Sequence, residues 1–331
     1  MKRTFLTRVR RKPRLTAALA ATLLAASVAA AGHAAAAPAD VLLPGDRFYP
    51  ESLSSTPDGT LYVGSMAEGV VVRVAPGATT AQPFIPAGSN GLLSVLGVLT
   101  DAAHDTLWVC SSDLSALGVV MKAGSKPVAL KSFDLKTGAP KASYPLPGDH
   151  TLCNDVVVAA DGTVYVTDSF SPHILRLKPG ATQLEVWATD ERFSVKGGAG
   201  LDGIAIGSDN AVYVNTYNGG GLYRVAMAED GSAGAVTTLK TSRPIKLPDA
   251  LRSIGPGTFL MIEGAGTLDR VTVHGDTAQI DVVRGGFKLP VSVTEVGDVA
   301  WVAEGQLNHL FDPKTGKPGP FKVYPVEGFT R

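Results

Sequence analysis

Cysteine is scarce in this chain, since Cys110 and Cys153 are the only two among its 331 residues. They form no C-x-x-C motif, which excludes the common dithiol redox sites and cysteine-rich zinc sites. The sequence also lacks a glycine-rich phosphate-binding loop, a haem attachment motif and the residue order of a serine hydrolase triad. Any catalytic function therefore has to come from a different kind of site.

An excess of charge of one sign is also missing, because 30 Lys and Arg residues balance 30 Asp and Glu residues. The first 37 residues contain seven of the basic residues and no acidic residue, which leaves 23 basic against 30 acidic side chains in the remainder. A mildly acidic chain has no basic face that could release counterions from nucleic acid. We therefore expect no nucleic-acid partner.

The amino-terminal segment has the three parts of a secretory signal peptide. A basic head ends at Arg14, residues 15–31 form an apolar, alanine-rich run, and three alanines precede Pro38 as in an A-x-A cleavage site. No later apolar run approaches the length of a membrane span, so we expect no membrane association after cleavage. The sequence predicts a signal peptide at residues 1–37, export to the periplasm or the exterior, and a single, monomeric domain at residues 38–331.

One pattern occurs six times after this segment: two short apolar strands joined by a tight turn, as at Asp161-Gly162. Each copy has an anchor residue in its second strand, and successive anchors are 46, 57, 48, 47 and 41 residues apart. The anchors are Tyr62, Trp108, Tyr165, Tyr213, Leu260 and Trp301. Such spacing is typical of propeller blades, and alternation at period two is typical of strands. The sequence therefore predicts an all-β protein, a six-bladed β-propeller with four-stranded blades.

Two details of this propeller follow from the same register. Residues 41–50 are a candidate strand for closing the ring, and blade six should have strands near residues 291–296, 299–303, 307–311 and 321–326. Cys110 and Cys153 should lie near the same face of neighbouring blades. Export would permit a disulfide between them, and two buried free thiols are the alternative.

Polar residues recur at one position ahead of the anchors. Counting back eleven residues from each anchor gives Glu51, Gly97, Asn154, Asp202, Asp249 and Pro290. The first strand of each propeller blade lines the central channel, so side chains at one repeated position meet around the axis. We expect Glu51, Asn154, Asp202 and Asp249 to converge there, with Gly97 and Pro290 leaving two sides uncrowded.

Such a ring predicts a divalent cation. Three carboxylates about 6 Å apart would repel one another by roughly 3 kcal/mol per pair at an effective dielectric constant of 20. The donors are all hard oxygens, which favours Ca²⁺ first, then Mg²⁺ or Mn²⁺, over a typical Zn²⁺ site. The alternative is that these polar residues cap strands or bind channel water. Asp58, Asp161 and Asp209 recur in the hairpin turns, where Asp is favoured for backbone hydrogen bonds, and we interpret them as structural.

At this point the chain resembles the SMP-30/gluconolactonase/regucalcin-like lactonases, which are six-bladed propellers with a central divalent metal. The resemblance is carried by Glu51-Ser52, Asn154-Asp155, the run from Gly200 to Gly203, Pro248-Asp249, and the run from Tyr217 to Gly220. It implies that Glu51, Asn154, Asp202 and Asp249 are metal ligands and that Asp249 is the catalytic acid/base carboxylate. The family commonly has Asn where Asp202 stands, so this ring carries an additional negative charge.

Loops on the same face should supply the residues that bind the substrate. The candidates are Asn90, His150, Tyr217, Asn218, Glu263 and Glu304. Two functions are compatible with these predictions. One is an exported, metal-dependent hydrolase of lactones or related esters, in which the metal polarises the carbonyl and Asp249 is the general base. The other is a non-enzymatic propeller that binds a ligand or protein and uses the cation for stability.

Overall fold

A computed structural model of the chain describes residues 38–119 and 127–329, together with Met1 and Lys2. The predicted signal peptide lies outside the described residues, so it remains a prediction. From Pro38 onward the chain forms one unit of six sheets. Five sheets have four antiparallel strands each, and the sixth has a fifth, short edge strand that pairs in parallel. The first strands of successive sheets pack against one another around an axis. This architecture confirms the predicted six-bladed β-propeller.

The first half of the propeller follows a short entry strand, β1 (Val41–Leu42). Blade one consists of β2 (Pro50–Ser55), β3 (Leu61–Ser65), β4 (Val71–Val74) and β5 (Gln82–Ile85). Blade two consists of β6 (Ser94–Asp101), β7 (Thr106–Ser112), β8 (Ala129–Asp134) and β9 (Pro140–Pro145). Blade three consists of β10 (Cys153–Val158), β11 (Val164–Asp168), β12 (His173–Leu177) and β13 (Glu185–Thr189).

The second half repeats this arrangement with one additional edge strand. Blade four consists of β14 (Leu201–Ile206), β15 (Val212–Thr216), β16 (Gly221–Met227) and β17 (Ala233–Thr238). Blade five consists of β18 (Lys240–Thr241), β19 (Pro248–Gly255), β20 (Thr258–Glu263), β21 (Thr267–His274) and β22 (Thr277–Gly285). Blade six consists of β23 (Pro290–Val296), β24 (Val299–Glu304), β25 (Lys322–Glu327) and the entry strand β1.

Across residues 38–119 and 127–329, helical structure is confined to single turns in the loops. One α-helical turn, α1 (Asn308–Phe311), follows β24. The 3-10 turns are Ser89–Gly91, Ala102–His104, Ser115–Leu117, Glu191–Phe193 and Pro313–Thr315. None of the helices in the described residues has the length and apolar character needed to cross a membrane.

The ring is closed by its amino-terminal strand. Val41 pairs with Val323 and Leu42 with Lys322, so β1 is the outer strand of blade six. Val41, Val323 and Phe321 are buried in a shared apolar cluster that stabilises this pairing. The predicted closing strand within residues 41–50 is therefore confirmed. The predicted strand at residues 307–311 is wrong, because β1 fills the fourth position and most of that segment forms α1.

Arginines in the third strands connect three of the blades to the blade that follows. Arg73, Arg176 and Arg224 each pair across the sheet with the anchor residue of their own blade. Their guanidinium groups donate to the carbonyl oxygens of Lys136, Gly231 and Gly275 respectively. All three carbonyls belong to the turn between the third and fourth strands of the following blade. The sequence repeat thus encodes an interblade contact as well as the strands themselves.

The two cysteines form a disulfide. Cys110 in β7 and Cys153 in β10 are both buried, and the bond joins blade two to blade three one residue before Asn154. Of the two alternatives that the sequence left open, the structure therefore contains the bridged one. The bond closes a chain segment of 43 residues, which limits the freedom of the unfolded chain.

We expect the double substitution Cys110→Ala/Cys153→Ala to lower the free energy of unfolding by about 2–4 kcal/mol. The main cause is the larger conformational freedom of the unfolded chain, with a smaller contribution from lost packing of two buried sulfurs. Urea denaturation of the oxidised protein and of the variant measures the difference. Equal midpoints for both proteins would show that the bridge does not contribute to stability.

Candidate active site

A β-bulge stands at the ring position in the first strand of every blade. The pairing between first and second strands shifts register at Pro50/Ser52, Val95/Val98, Cys153/Val156, Leu201/Ile204, Pro248/Leu251 and Pro290/Ser292. Each of the six repeated positions lies at or within one of these shifts. A bulge turns a side chain out of the regular alternation of a strand. The repeated bulge therefore explains why residues at one sequence offset are brought together at the end of the channel.

Close packing of neighbouring first strands holds this geometry. A Cβ atom on Gly203 would lie 2.3 Å from the carbonyl oxygen of Asp249, and one on Gly97 would lie 2.3 Å from that of Asn154. The backbone at Asp249 is also held by Asn215 of β15, whose amide nitrogen donates to its carbonyl oxygen at 2.6 Å. The same Asn215 side chain accepts from the Gly203 amide at 2.9 Å. Blade four thus positions the first strand of blade five.

All four predicted ligands are buried, none of them more than 7% exposed. Burial, with the negative charges of Asp202 and Glu51, holds the pKa of Asp249 well above its ordinary value. Burial, with Asp202 and Asp155, does the same to the pKa of Glu51. The pKa of Asp202 is raised to about 8, mainly by burial and then by the negative charge of Asp155. The positive charge near these three carboxyl groups is therefore too weak to offset their burial and mutual repulsion.

The Asn154 side chain connects the Asp202 carboxylate of blade four to Ser169 of blade three. Its amide nitrogen donates to Asp202 Oδ2 at 3.0 Å and to Ser169 Oγ at 2.8 Å. Because the Ser169 hydroxyl donates its hydrogen to the carbonyl oxygen of Leu201, it accepts from Asn154. The amide nitrogen is thereby committed, and the amide oxygen is the donor that Asn154 offers to a cation.

The chemistry of these residues fits a divalent metal ion. Three carboxyl groups and one amide oxygen are hard donors of the kind that Ca²⁺ and Mg²⁺ prefer. The donors are not arranged as a finished cage: within the described ranges, no three Asp, Glu, His or Cys side chains are grouped closely enough to hold a metal ion as they stand. The fit therefore rests on donor type, burial and excess negative charge, and it requires the carboxylates to adjust around the ion.

A buried ion pair closes the channel beneath the four ligands. Arg252 of β19 donates to Asp155 Oδ2 at 2.6 Å and to Asp155 Oδ1 at 3.0 Å, a bidentate pair. Asp155 also accepts from the backbone amides of Val156 and Ile204. Only a void of about 10 Å³ separates this pair from the ring. Asp155 follows Asn154 in the same bulge, so one bulge supplies both a ligand above and a counterion below.

Above the ring, the channel widens into a cavity of about 520 Å³. Glu51, Asn154, Asp202 and Asp249 line it, so the structure brings together all four residues predicted to bind metal. His150, Tyr217 and Asn218, predicted to bind substrate, also line it. The His150 ring stacks on Phe170, with centroids 4.8 Å apart. Burial, together with the negative charges of Asp249, Asp202 and Glu51, raises the pKa of Tyr217, so its hydroxyl keeps its proton and can donate a hydrogen bond.

The other three predicted substrate-binding residues, Asn90, Glu263 and Glu304, are not among the residues that line this cavity. Asn90 donates to the Ala142 carbonyl and stands beside Lys131 in the outer part of blade two. Glu263 is buried against Arg243, with 2.5 Å between Oε1 and Nη1. Glu304 is buried and accepts from the Lys288 amide at 2.8 Å. Both glutamates end second strands and are used to hold the adjacent loop of their own blade.

Sequence reasoning did not assign roles to Arg252, Asn215 or most of the apolar residues of the cavity. Arg252 stands three residues after Asp249, and nothing in its local sequence indicates a partner 97 residues away. Asn215 follows the anchor Tyr213 by two residues. A polar side chain at this place in an apolar strand could have indicated a buried hydrogen-bonding role. Apart from Leu96 in β6, the apolar cavity residues come from loops, whose positions the repeat does not determine.

We expect Gly203→Ala to lower the free energy of unfolding by about 1–3 kcal/mol and to weaken cation binding, because the new methyl group collides with the backbone of Asp249. Gly255→Ala, at the far end of β19, is the matched control, since nothing lies within 4 Å of its added carbon. Thermal unfolding and calorimetric cation titration measure both effects. Equal behaviour of the two variants would show that the close approach at Gly203 does not hold the ring.

The sequence matches no protein-family model and no curated protein. Solved structures do resemble the fold. A luciferin-regenerating enzyme has a TM-score of 0.63 at 13% identity, over 86% of this chain and 92% of that one. A gluconolactonase from Xanthomonas campestris has a TM-score of 0.61 at 16% identity, over 86% and 88%. A catalytically inactive virginiamycin B lyase from Staphylococcus aureus, solved with quinupristin, has a TM-score of 0.55 at 16% identity, over 86% and 83%.

These structural neighbours include gluconolactonase-like propellers, as the sequence resemblance implied. At 13–16% identity the likeness concerns the fold. The neighbours also differ in activity, since gluconolactonase, lyase and dehydrogenase names occur among them. The assignment of a reaction to this chain therefore depends on the residues of its own cavity.

Proposed function

We propose that this protein hydrolyses lactones or related esters, using a divalent cation bound by Glu51, Asn154, Asp202 and Asp249. The observation that carries this proposal is the convergence of three buried carboxyl groups and an amide at the floor of a 520 Å³ cavity. A divalent cation bound among these oxygens polarises an ester carbonyl. Ca²⁺ is the first candidate, and Mg²⁺, Mn²⁺ and Zn²⁺ are the alternatives to compare.

The residues of the chain supply the remaining parts of hydrolysis. Asp249 is the general base: it accepts a proton from water as the water oxygen bonds to the acyl carbon, and the departing ester oxygen then takes a proton to give a hydroxy acid. Burial and the negative charges of Asp202 and Glu51 raise the pKa of this carboxyl group. The Tyr217 hydroxyl and the Asn218 side chain border the cavity near the ring and can orient the substrate.

We further propose that the protein acts outside the cytoplasm. The predicted signal peptide motivates this proposal, and the Cys110–Cys153 disulfide supports it, because such bonds persist mainly in oxidising compartments. Fractionation of cells that express the full chain, with amino-terminal sequencing of the product, tests it. A product that retains its first 37 residues in the cytoplasm would contradict export.

The competing proposal is a binding propeller whose cation serves stability. This alternative is retained because proteins with this fold differ in activity, so the fold does not by itself imply one reaction. Turnover of a panel of lactones and esters by the purified protein, with each cation and with a chelator, separates the two. Hydrolysis that a chelator abolishes and a cation restores supports the enzyme. Cation-dependent thermal stability without turnover of any lactone or ester would support the binding protein.

A further inference from the structure

One side of the cavity is apolar close to the ring. Met66, Leu96, Leu114, Leu117, Leu307 and Phe311 line this side, which we call the apolar wall. They come from blades one, two and six. Met66, Leu96 and Leu114 are the cavity edge of a buried apolar cluster, against which Leu307 packs. The wall is therefore continuous with the core and is held in place by it.

Two members of the apolar wall are unusually exposed. Leu117 is 50% exposed and Phe311 is 43% exposed. The described residues contain six exposed large apolar side chains, and these two stand on this one cavity. Leu117 ends the 3-10 turn after β7, and Phe311 ends α1 after β24. Exposed apolar side chains collected at one concave site indicate a ligand that covers them.

The opposite side of the cavity is polar but offers few hydrogen-bonding groups. It is built from blade four and the loop that leads into it, with Ser194, Gly198, Tyr217 and Asn218 among its residues. The Asn218 amide oxygen already accepts from the Ala199 amide at 2.7 Å and holds that loop. A substrate with a hydroxyl group on every carbon would leave several of them unpaired against the apolar wall, and an unpaired buried hydroxyl is unfavourable.

We propose that the substrate is a lactone or ester with a large apolar substituent, which lies along the apolar wall while its carbonyl faces the ring. This inference rests on the proposed hydrolytic function and specifies its substrate class. The binding free energy of such a substituent comes from removing both its own surface and the exposed surface of Leu117 and Phe311 from water. A polyhydroxylated sugar lactone lacks that contribution.

The test is a series of γ-lactones with alkyl chains of increasing length, with glucono-δ-lactone as the polar member. In the cation-loaded protein, kcat/KM should rise about threefold to fourfold for each methylene until the chain fills the cavity. Glucono-δ-lactone should be among the poorest substrates. Leu117→Ser and Phe311→Ser should each flatten the chain-length dependence. Both positions are exposed, so these variants should fold.

Val282→Ser is the matched control, since Val282 is 55% exposed on β22 and does not line the cavity. It should reproduce the wild-type dependence. Turnover without any gain from chain length, or wall variants that behave like Val282→Ser, would overturn the substrate class and leave the hydrolytic function standing. If no lactone or ester is turned over, the hydrolytic function fails. Calorimetric titration with alkyl γ-lactams then decides the wall: chain-dependent binding that the wall variants weaken supports it, and no binding overturns it.

Discussion

Asp249→Asn should reduce lactone turnover by roughly 10²- to 10⁴-fold, the usual range for loss of a general base. The substitution keeps the size of the side chain and one oxygen donor, but it removes the charge and the basicity. The backbone contact from Asn215 to residue 249 involves a carbonyl oxygen and is retained. Folding should survive, because the repulsion among the buried carboxyl groups becomes weaker at the same time.

Asp161→Asn is the matched control for this substitution. Asp161 lies in the β10–β11 turn, where its carboxylate accepts from the Thr163 amide at 2.9 Å and from the Thr163 hydroxyl at 3.0 Å. Asn keeps one acceptor oxygen for the Thr163 amide and suits such turns, so turnover and cation affinity should stay at the wild-type level. Steady-state kinetics and cation titration of both variants provide the comparison. Full activity in Asp249→Asn, or equal losses in both, would mean that the general base is a different residue.

Arg252→Met should lower the free energy of unfolding by about 3–5 kcal/mol, because it leaves the Asp155 carboxylate buried without its cation. Methionine replaces the aliphatic stem of arginine, so the loss reflects charge and hydrogen bonding more than volume. The remaining carboxylate lies directly beneath Glu51, Asp202 and Asp249, where further negative charge is already unfavourable. Urea denaturation at neutral pH measures the effect.

The second substitution Asp155→Asn should restore part of that stability in the Arg252→Met background. Asn removes the uncompensated charge and keeps an oxygen that can accept from the Ile204 amide. Lys136→Ala is the exposed control, since Lys136 and Asp105 pair at 2.9 Å in solvent. It should leave the denaturation midpoint unchanged. A small effect of Arg252→Met, or no restoration by Asp155→Asn, would show that the buried pair does not hold the channel together.

The fold and the central ring were predictable because they follow from one repeated pattern. The six anchors fixed the number of blades, and a constant offset of eleven residues found every ring position. The structural basis of that offset is the bulge, which recurs at the same place in each first strand. A residue that is repeated in sequence and faces one axis can be located without knowledge of long-range contacts.

The substrate-binding loops and the closing segment of blade six were less predictable, because loops do not follow the sequence repeat. Glu263 and Glu304 both end second strands, so sequence position alone suggested the cavity. Each is instead turned toward a loop of its own blade, by Arg243 and by the Lys288 amide respectively. Residues 307–311 have the apolar content of a strand, but β1 takes the edge of blade six that they were expected to occupy.

The most direct measurement of the central hypothesis is calorimetric titration of the metal-stripped mature protein with Ca²⁺, Mg²⁺, Mn²⁺ and Zn²⁺. The four-residue ring predicts one equivalent of at least one of these cations per molecule. At a hundredfold excess over its dissociation constant, that cation should raise the free energy of unfolding by about 2.7 kcal/mol. The Asp249→Asn variant should bind it more weakly. A protein that binds none of the four ions, with a melting temperature unchanged by millimolar concentrations of each, would contradict the metal site and the mechanism built on it.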